Sequence, residues 1–139
     1  MKFWDSSAVV ALLVDEPAHR NVTDVLAHDQ GMLVSWATPL ECLSALIRRT
    51  RDGSLDEDGL RIATQRLRAV AAEWHEVLPT PALRSVAERM LRVHVLRATG
   101  ALQLAAAVVA AEHDPPSLGF VCLDERLIAG ARREGFTVE

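Results

Sequence analysis

One lysine, no tyrosine and two cysteines are the first limits that this chain of 139 residues sets on itself. Lys2 is its only lysine, so any chemistry that needs a lysine later in the chain is excluded. Aromatic residues make up 4% of the sequence, and the core must therefore be built from Leu, Val and Ala, a filling suited to helices packed on a sheet. Cys42 and Cys122 fall in no CxxC or other metal-ligand spacing, which points to a reducing cytosol. The N-terminus carries no basic, apolar and small-residue leader pattern. The most apolar tract, residues 101–111, is too short to span a bilayer and is broken by Gln103. A soluble cytoplasmic protein, with no membrane partner, is the expectation. The net charge of −4 rules out a blanket basic surface, although the clusters Arg48-Arg49-Arg51, Arg61-Arg66-Arg68 and Arg84-Arg89-Arg92 remain. Each can contact phosphates, and each can equally be a solvated helix face.

Half of the residues are hydrophobic, enough to give one domain over 1–139 a real core. Short apolar runs alternate with helical patterns. Strands are expected at 2–4, 32–36, 75–78, 120–123 and 136–138. Between them come helices at 7–14, 17–28, 39–51, from 54 onward, after Pro81, from Thr99-Gly100 to about 113, and from Asp124 to Gly135. That order predicts an α/β fold, a mostly parallel four- or five-stranded sheet covered by helices on both faces. The helices at 7–14 and 101–111 are apolar almost all round. Burial in the core and burial under a partner chain explain them equally well.

Two of the apolar runs stop at an aspartate where a helix begins, Phe3-Trp4-Asp5-Ser6-Ser7 and Val121-Cys122-Leu123-Asp124-Glu125. Aspartate is a preferred helix cap, so neither alone signals function. An open α/β sheet, however, binds ligands beyond the carboxyl ends of its strands, and Glu41 lies in the first turn after strand two. In a sheet ordered 3-2-1-4-5, Asp5, Glu41 and Asp124 can share one crevice. Three carboxylates that close raise one another's pKa unless a cation holds them, and a hard divalent ion does so best. Mg2+ or Mn2+ is the expected ion.

With these residues in place the chain resembles the PIN-domain ribonucleases, in particular the VapC toxins of toxin–antitoxin pairs. The resemblance runs nearly end to end. It is carried by Asp5-Ser6-Ser7-Ala8, by Thr38-Pro39-Leu40-Glu41, by the tract from Leu96 to Ala107, and by Phe120 to Leu127. It implies a three-layer α/β/α sandwich, metal-dependent cleavage of RNA, a small VapB-like antitoxin, and a homodimer in many members. Asp5, Glu41 and Asp124 match the first, second and fourth acidic positions. Where the family usually has an Asp at the third, this chain has Gly100, and where a Thr or Ser is common it has Cys122.

The resemblance therefore implies a weaker ion site and reduced activity. Gly100 also has a purely structural reading, as a residue that opens a helix after Thr99. Ser7 can orient Asp5 or simply begin a helix. A non-catalytic module that grips an antitoxin or RNA without cutting is the competing function. Receiver domains, haloacid-dehalogenase phosphatases and P-loop enzymes are set aside. The third strand ends without an Asp, Asp5-Ser6-Ser7 is not Asp-x-Asp, and no Gly-rich cradle with Lys exists.

Overall fold

The computed structural model describes residues 1–139. Five strands, β1 (Lys2–Trp4), β2 (Met32–Ser35), β3 (His75–Val77), β4 (Gly119–Val121) and β5 (Thr137–Val138), form one sheet in the order β3-β2-β1-β4-β5. All four pairings are parallel. Seven helices connect them: α1 (Ser6–Leu13), α2 (His19–His28), α3 (Thr38–Arg51), α4 (Glu57–Ala71), α5 (Pro81–Val93), α6 (Ala98–Ala110) and α7 (Glu125–Glu134). None is long and apolar enough to cross a membrane.

Side-chain alternation along the central strands divides the core into two. Phe3 and Phe120 point to one face, where α5, α6 and α7 cover them. Trp4 and Val121 point to the other, against α1 to α4. The expected α/β/α sandwich and strand order are both present. Phe3 and Phe120 stack at 5.5 Å between ring centroids, joining β1 to β4 in the first core. The two all-apolar helices are buried within the chain itself, α1 under α2, α3 and α4, and α6 against α5, α7 and the sheet.

Several local expectations need correction. Strand β4 ends at Val121, so Asp124 stands three residues beyond it, across Cys122 and Leu123, and not at its last position. The N-cap of α6 is Arg97, not Thr99, and makes no side-chain cap. Leu40, Leu43, Leu46 and Ile47 share one face of α3 at helical spacing, but of these only Leu46 is buried, beside Thr38 and Cys42, and Leu40 and Leu43 are exposed. The helix is rotated by contacts with α1 and α4, which a leucine-based pattern cannot register. Ile62 on α4 and Leu91 and Val93 on α5, which the apolar pattern of their helices assigns to the interior, are also exposed.

The outer layer is tied by Glu134 at the end of α7. His94 Nε2 lies 2.7 Å from Glu134 Oε1, and Arg89 donates to both carboxylate oxygens from α5. Burial raises the Glu134 pKa, but the hydrogen bonds and charges of His94 and Arg89 outweigh it and hold the carboxyl below its usual range. A depressed carboxylate stabilises the fold above its unfolded pKa, and that stability is lost as pH falls through the folded value. Glu134→Gln is therefore expected to destabilise by about 1–3 kcal/mol at neutral pH. Urea denaturation across pH should find the deficit shrinking once the parent's carboxylate protonates.

Candidate active site

The parallel sheet places the carboxyl ends of β1, β2 and β4 side by side, and α1, α3 and α7 start there. Between them opens a cleft of about 930 Å3 lined by Asp5, Glu41 and Asp124. Arg48, Arg49 and Arg97 also line it, with no His and no Lys. Thr99, Gly100 and Gln103 from the first turns of α6 complete one wall.

Asp5 follows the last residue of β1 and is 4% exposed. Its backbone N–H continues the sheet by donating to the Val121 carbonyl, 3.0 Å away. Its Oδ2 accepts from Ser7 N at 3.0 Å, from Ser7 Oγ at 2.5 Å and from Cys122 Sγ at 3.6 Å. Asp5 thereby caps α1, and Ser7, the second residue of that helix, orients the Asp5 carboxylate through both its N–H and its hydroxyl. Leu123 N in turn donates to Ser7 Oγ at 3.0 Å, fixing the loop between β4 and Asp124.

Glu41 is held by two donors on the same oxygen. Ser6 Oγ lies 2.7 Å and Gln103 Nε2 2.9 Å from Glu41 Oε2. Asp124 uses one oxygen as the cap of α7, its Oδ1 accepting from Arg126 N at 3.0 Å and Leu127 N at 3.1 Å. Each carboxylate is therefore anchored through a single oxygen. Asp5 Oδ1, Glu41 Oε1 and Asp124 Oδ2 accept nothing from the protein, and those of Asp5 and Glu41 are not sealed from solvent.

Burial pushes the Asp5 carboxyl above its ordinary value, against the lowering hydrogen bonds from Ser7 and Cys122. Glu41 is also raised, first by burial and further by the charge of Asp5, while Ser6 and Gln103 act the other way. The cleft thus holds negative charge that its own hydrogen bonds do not fully offset. Cys122 stands among Asp5, Ser7 and the Asp124 carbonyl, and burial drives its thiol well up. Cys42 is pushed up to about 12 by burial and by Glu41 and Asp5. Both are neutral thiols at pH 7, and Cys122 serves as a weak donor where a hydroxyl was expected.

The donor chemistry suits a hard divalent ion, with carboxylate oxygens directed at a polar cleft. The three acids do not, however, close into a compact group of three or more ligating side chains. Gly100 is the third helical residue of α6. A Cβ there would meet only Leu96, at 3.5 and 3.8 Å, ordinary contact distances. Nothing in the packing requires glycine at this position.

Sequence reasoning missed Ser6 and Gln103. Ser6 has the appearance of any helix-start serine. Gln103 did carry a signal, as the one polar residue in the run of buried positions from Leu104 to Val108 and Ala101. A buried amide needs partners, and those partners are site residues.

No family model and no curated protein matches the chain. Among solved structures it is similar to the crystal structure of FitAcB from Neisseria gonorrhoeae, with a TM-score of 0.67 and 15% identity over 99% of this chain and 96% of that one. That likeness is one of fold. It accords with the parallel α/β/α architecture and strand order described above.

Because Asp5 and Glu41 ionise less readily in the folded chain, their stability contribution is intact below the unfolded carboxylate range. It is lost as pH rises through that range to the raised folded values. In chelator the contribution of these two groups should therefore fall as pH rises above the unfolded carboxylate range, opposite in sign to that of Glu134. Asp5→Asn should be more stable than the parent at pH 7 by urea denaturation; a less stable variant contradicts the assigned electrostatics.

Proposed function

We propose that the chain is a divalent-metal-dependent endoribonuclease, a VapC-like toxin that a small VapB-like antitoxin holds in check in the cytoplasm. The observation that carries this reading is the cleft itself, three singly anchored carboxylates beyond the carboxyl edge of the sheet with arginines beside them. The PIN-like fold supports it. RNA as substrate, the antitoxin and a homodimer come from the sequence resemblance.

Asp5, Glu41 and Asp124 are the residues that would hold Mg2+ or Mn2+. When bound, such an ion supplies a water of lowered pKa and offsets charge on the scissile phosphate. Water oxygen bonds to phosphorus as the P–O3′ bond breaks, leaving a 5′-phosphate and a 3′-hydroxyl. No His or Lys lines the cleft to act as a base in its place. Ser7 and Cys122 keep Asp5 oriented, Ser6 and Gln103 do so for Glu41, and the first turn of α7 fixes Asp124. Arg48 and Arg97 form no ion pair and are the cleft's free contacts for phosphate, whereas Arg49 is engaged by Glu16 at 2.9 Å.

Gly100 withholds a fourth carboxylate, so the ion is held more weakly and turnover is reduced. Gly100→Asp adds a charge at a position where a Cβ makes only ordinary contacts with Leu96 and where the N-terminal turn of α6 favours an anion. It should tighten Mn2+ binding and raise RNA cleavage by about tenfold. Asp5→Asn should lower cleavage by at least about a hundredfold, beyond what loss of an outer-shell partner does.

The absence of a compact ligand group favours a second reading, a binding module that engages antitoxin or RNA without cutting. Thermal shift with Mn2+ separates the two. An ion-dependent rise that Asp5→Asn removes, with cleavage lost in parallel, supports the nuclease; no rise and no cleavage, even with Gly100→Asp, supports the module.

A further inference from the structure

Helix α6 reaches the acidic cleft, but not through the position where the resembled family has its acid. Gly100 has no side chain to offer. One turn further on, Gln103 is 1% exposed and points its amide nitrogen at Glu41 Oε2, 2.9 Å away, and at Thr38 Oγ1, 3.2 Å away. Both partners lie in the first turn of α3, so this single amide joins the two helices that flank the mouth of β2. Its other end is unpaired: Gln103 Oε1 is sealed from solvent with no hydrogen-bond partner.

That unpaired oxygen matters for deciding what the residue is for. A buried carbonyl without a donor destabilises a fold, and an apolar side chain of similar volume would avoid the penalty. On every side of this turn α6 is packed by Leu104, Ala105, Ala106 and Ala107, all fully buried. Packing alone therefore favours an aliphatic residue at 103. What the amide adds is a hydrogen-bond donor to a half-buried carboxylate, and bonds to charged groups are about twice as strong as neutral ones. With Ser6 it occupies Glu41 Oε2 and leaves Oε1 as the only oxygen directed elsewhere.

We propose that Gln103 is the positioning residue through which α6 serves the acidic site, holding the Glu41 carboxylate in the orientation that presents Oε1 to a divalent cation. The inference rests on the ion-binding reading above and makes Gly100 a missing ligand rather than a missing support. Gln103 touches neither ion nor RNA; it acts through Glu41.

The test uses the full chain with Thr38→Val and Gln103→Met combined, so that Thr38 is not orphaned and Glu41 alone loses a donor. With each protein read against its own melting temperature in chelator, the midpoint for Mn2+ stabilisation should rise about tenfold. An unchanged Mn2+ midpoint overturns the proposal whatever the melting temperature does. A second measurement needs no ion. In the chelated parent, the Gln103 side-chain amide resonance should move when Glu41→Gln replaces the charged acceptor, and an unmoved resonance overturns the proposal. If the parent shows no response to Mn2+ at all, the ion-binding reading fails on its own. The amide resonance then still decides whether Gln103 holds Glu41, and it decides equally if the double variant does not fold.

Discussion

Asp5 is a carboxylate almost removed from water at the end of the central strand, and the surrounding structure is arranged to keep it there. Its N–H extends the pairing of β1 with β4, its Oδ2 starts α1, and Ser7 relays it to the loop that carries Asp124. Burial disfavours the charge, and the hydrogen bonds from Ser7 and Cys122 only partly restore it. A hydrophobic residue here would satisfy the core, and a serine would suffice to cap the helix. Neither alternative leaves an oxygen free in the cleft. The same division recurs at Glu41 and Asp124, where one oxygen is tied to the scaffold and the other is left open. Helix capping and ligand binding are therefore not competing explanations for the strand-end aspartates, because each carboxylate has two oxygens.

The alternation of strands and helices, and with it the parallel layered sheet, was legible from period and position, whereas the order 3-2-1-4-5 was a supposition that the family resemblance supplied. Alternating apolar runs and helical patterns, with turn residues such as Gly53 and Gly135 between them, admit few arrangements in a chain of this length. Which acids share a crevice followed from the strand order. Details that depend on rotation about a helix axis were not legible. Leu40 and Leu43 fit an apolar stripe on α3, yet the helix turns Cys42 and Leu46 inward. Ser6 and Gln103 could not be assigned either, since a serine at a helix start and a glutamine in an apolar helix have ordinary meanings until their partners are known.

Gly100 and Gln103 show how a helix can lose one contribution to a site and retain another. The acid expected at the start of α6 is absent, and the packing would admit it. The amide one turn later remains, buried and half-satisfied. On this account the support of the site is intact while its charge is reduced. That combination fits the proposed nuclease of lowered ion affinity, whereas the absence of a compact ligand group is what the non-catalytic module would share.

The central claim is that the free oxygens of Asp5, Glu41 and Asp124 together bind a divalent cation. Its most direct test is anomalous diffraction at the manganese edge from crystals of the full chain grown with Mn2+. The account predicts one peak in the cleft, in direct contact with Asp5 Oδ1 or Asp124 Oδ2 at the roughly 2 Å of metal–oxygen bonds. A well-occupied peak elsewhere on the chain, or none in the cleft at millimolar Mn2+, would contradict it.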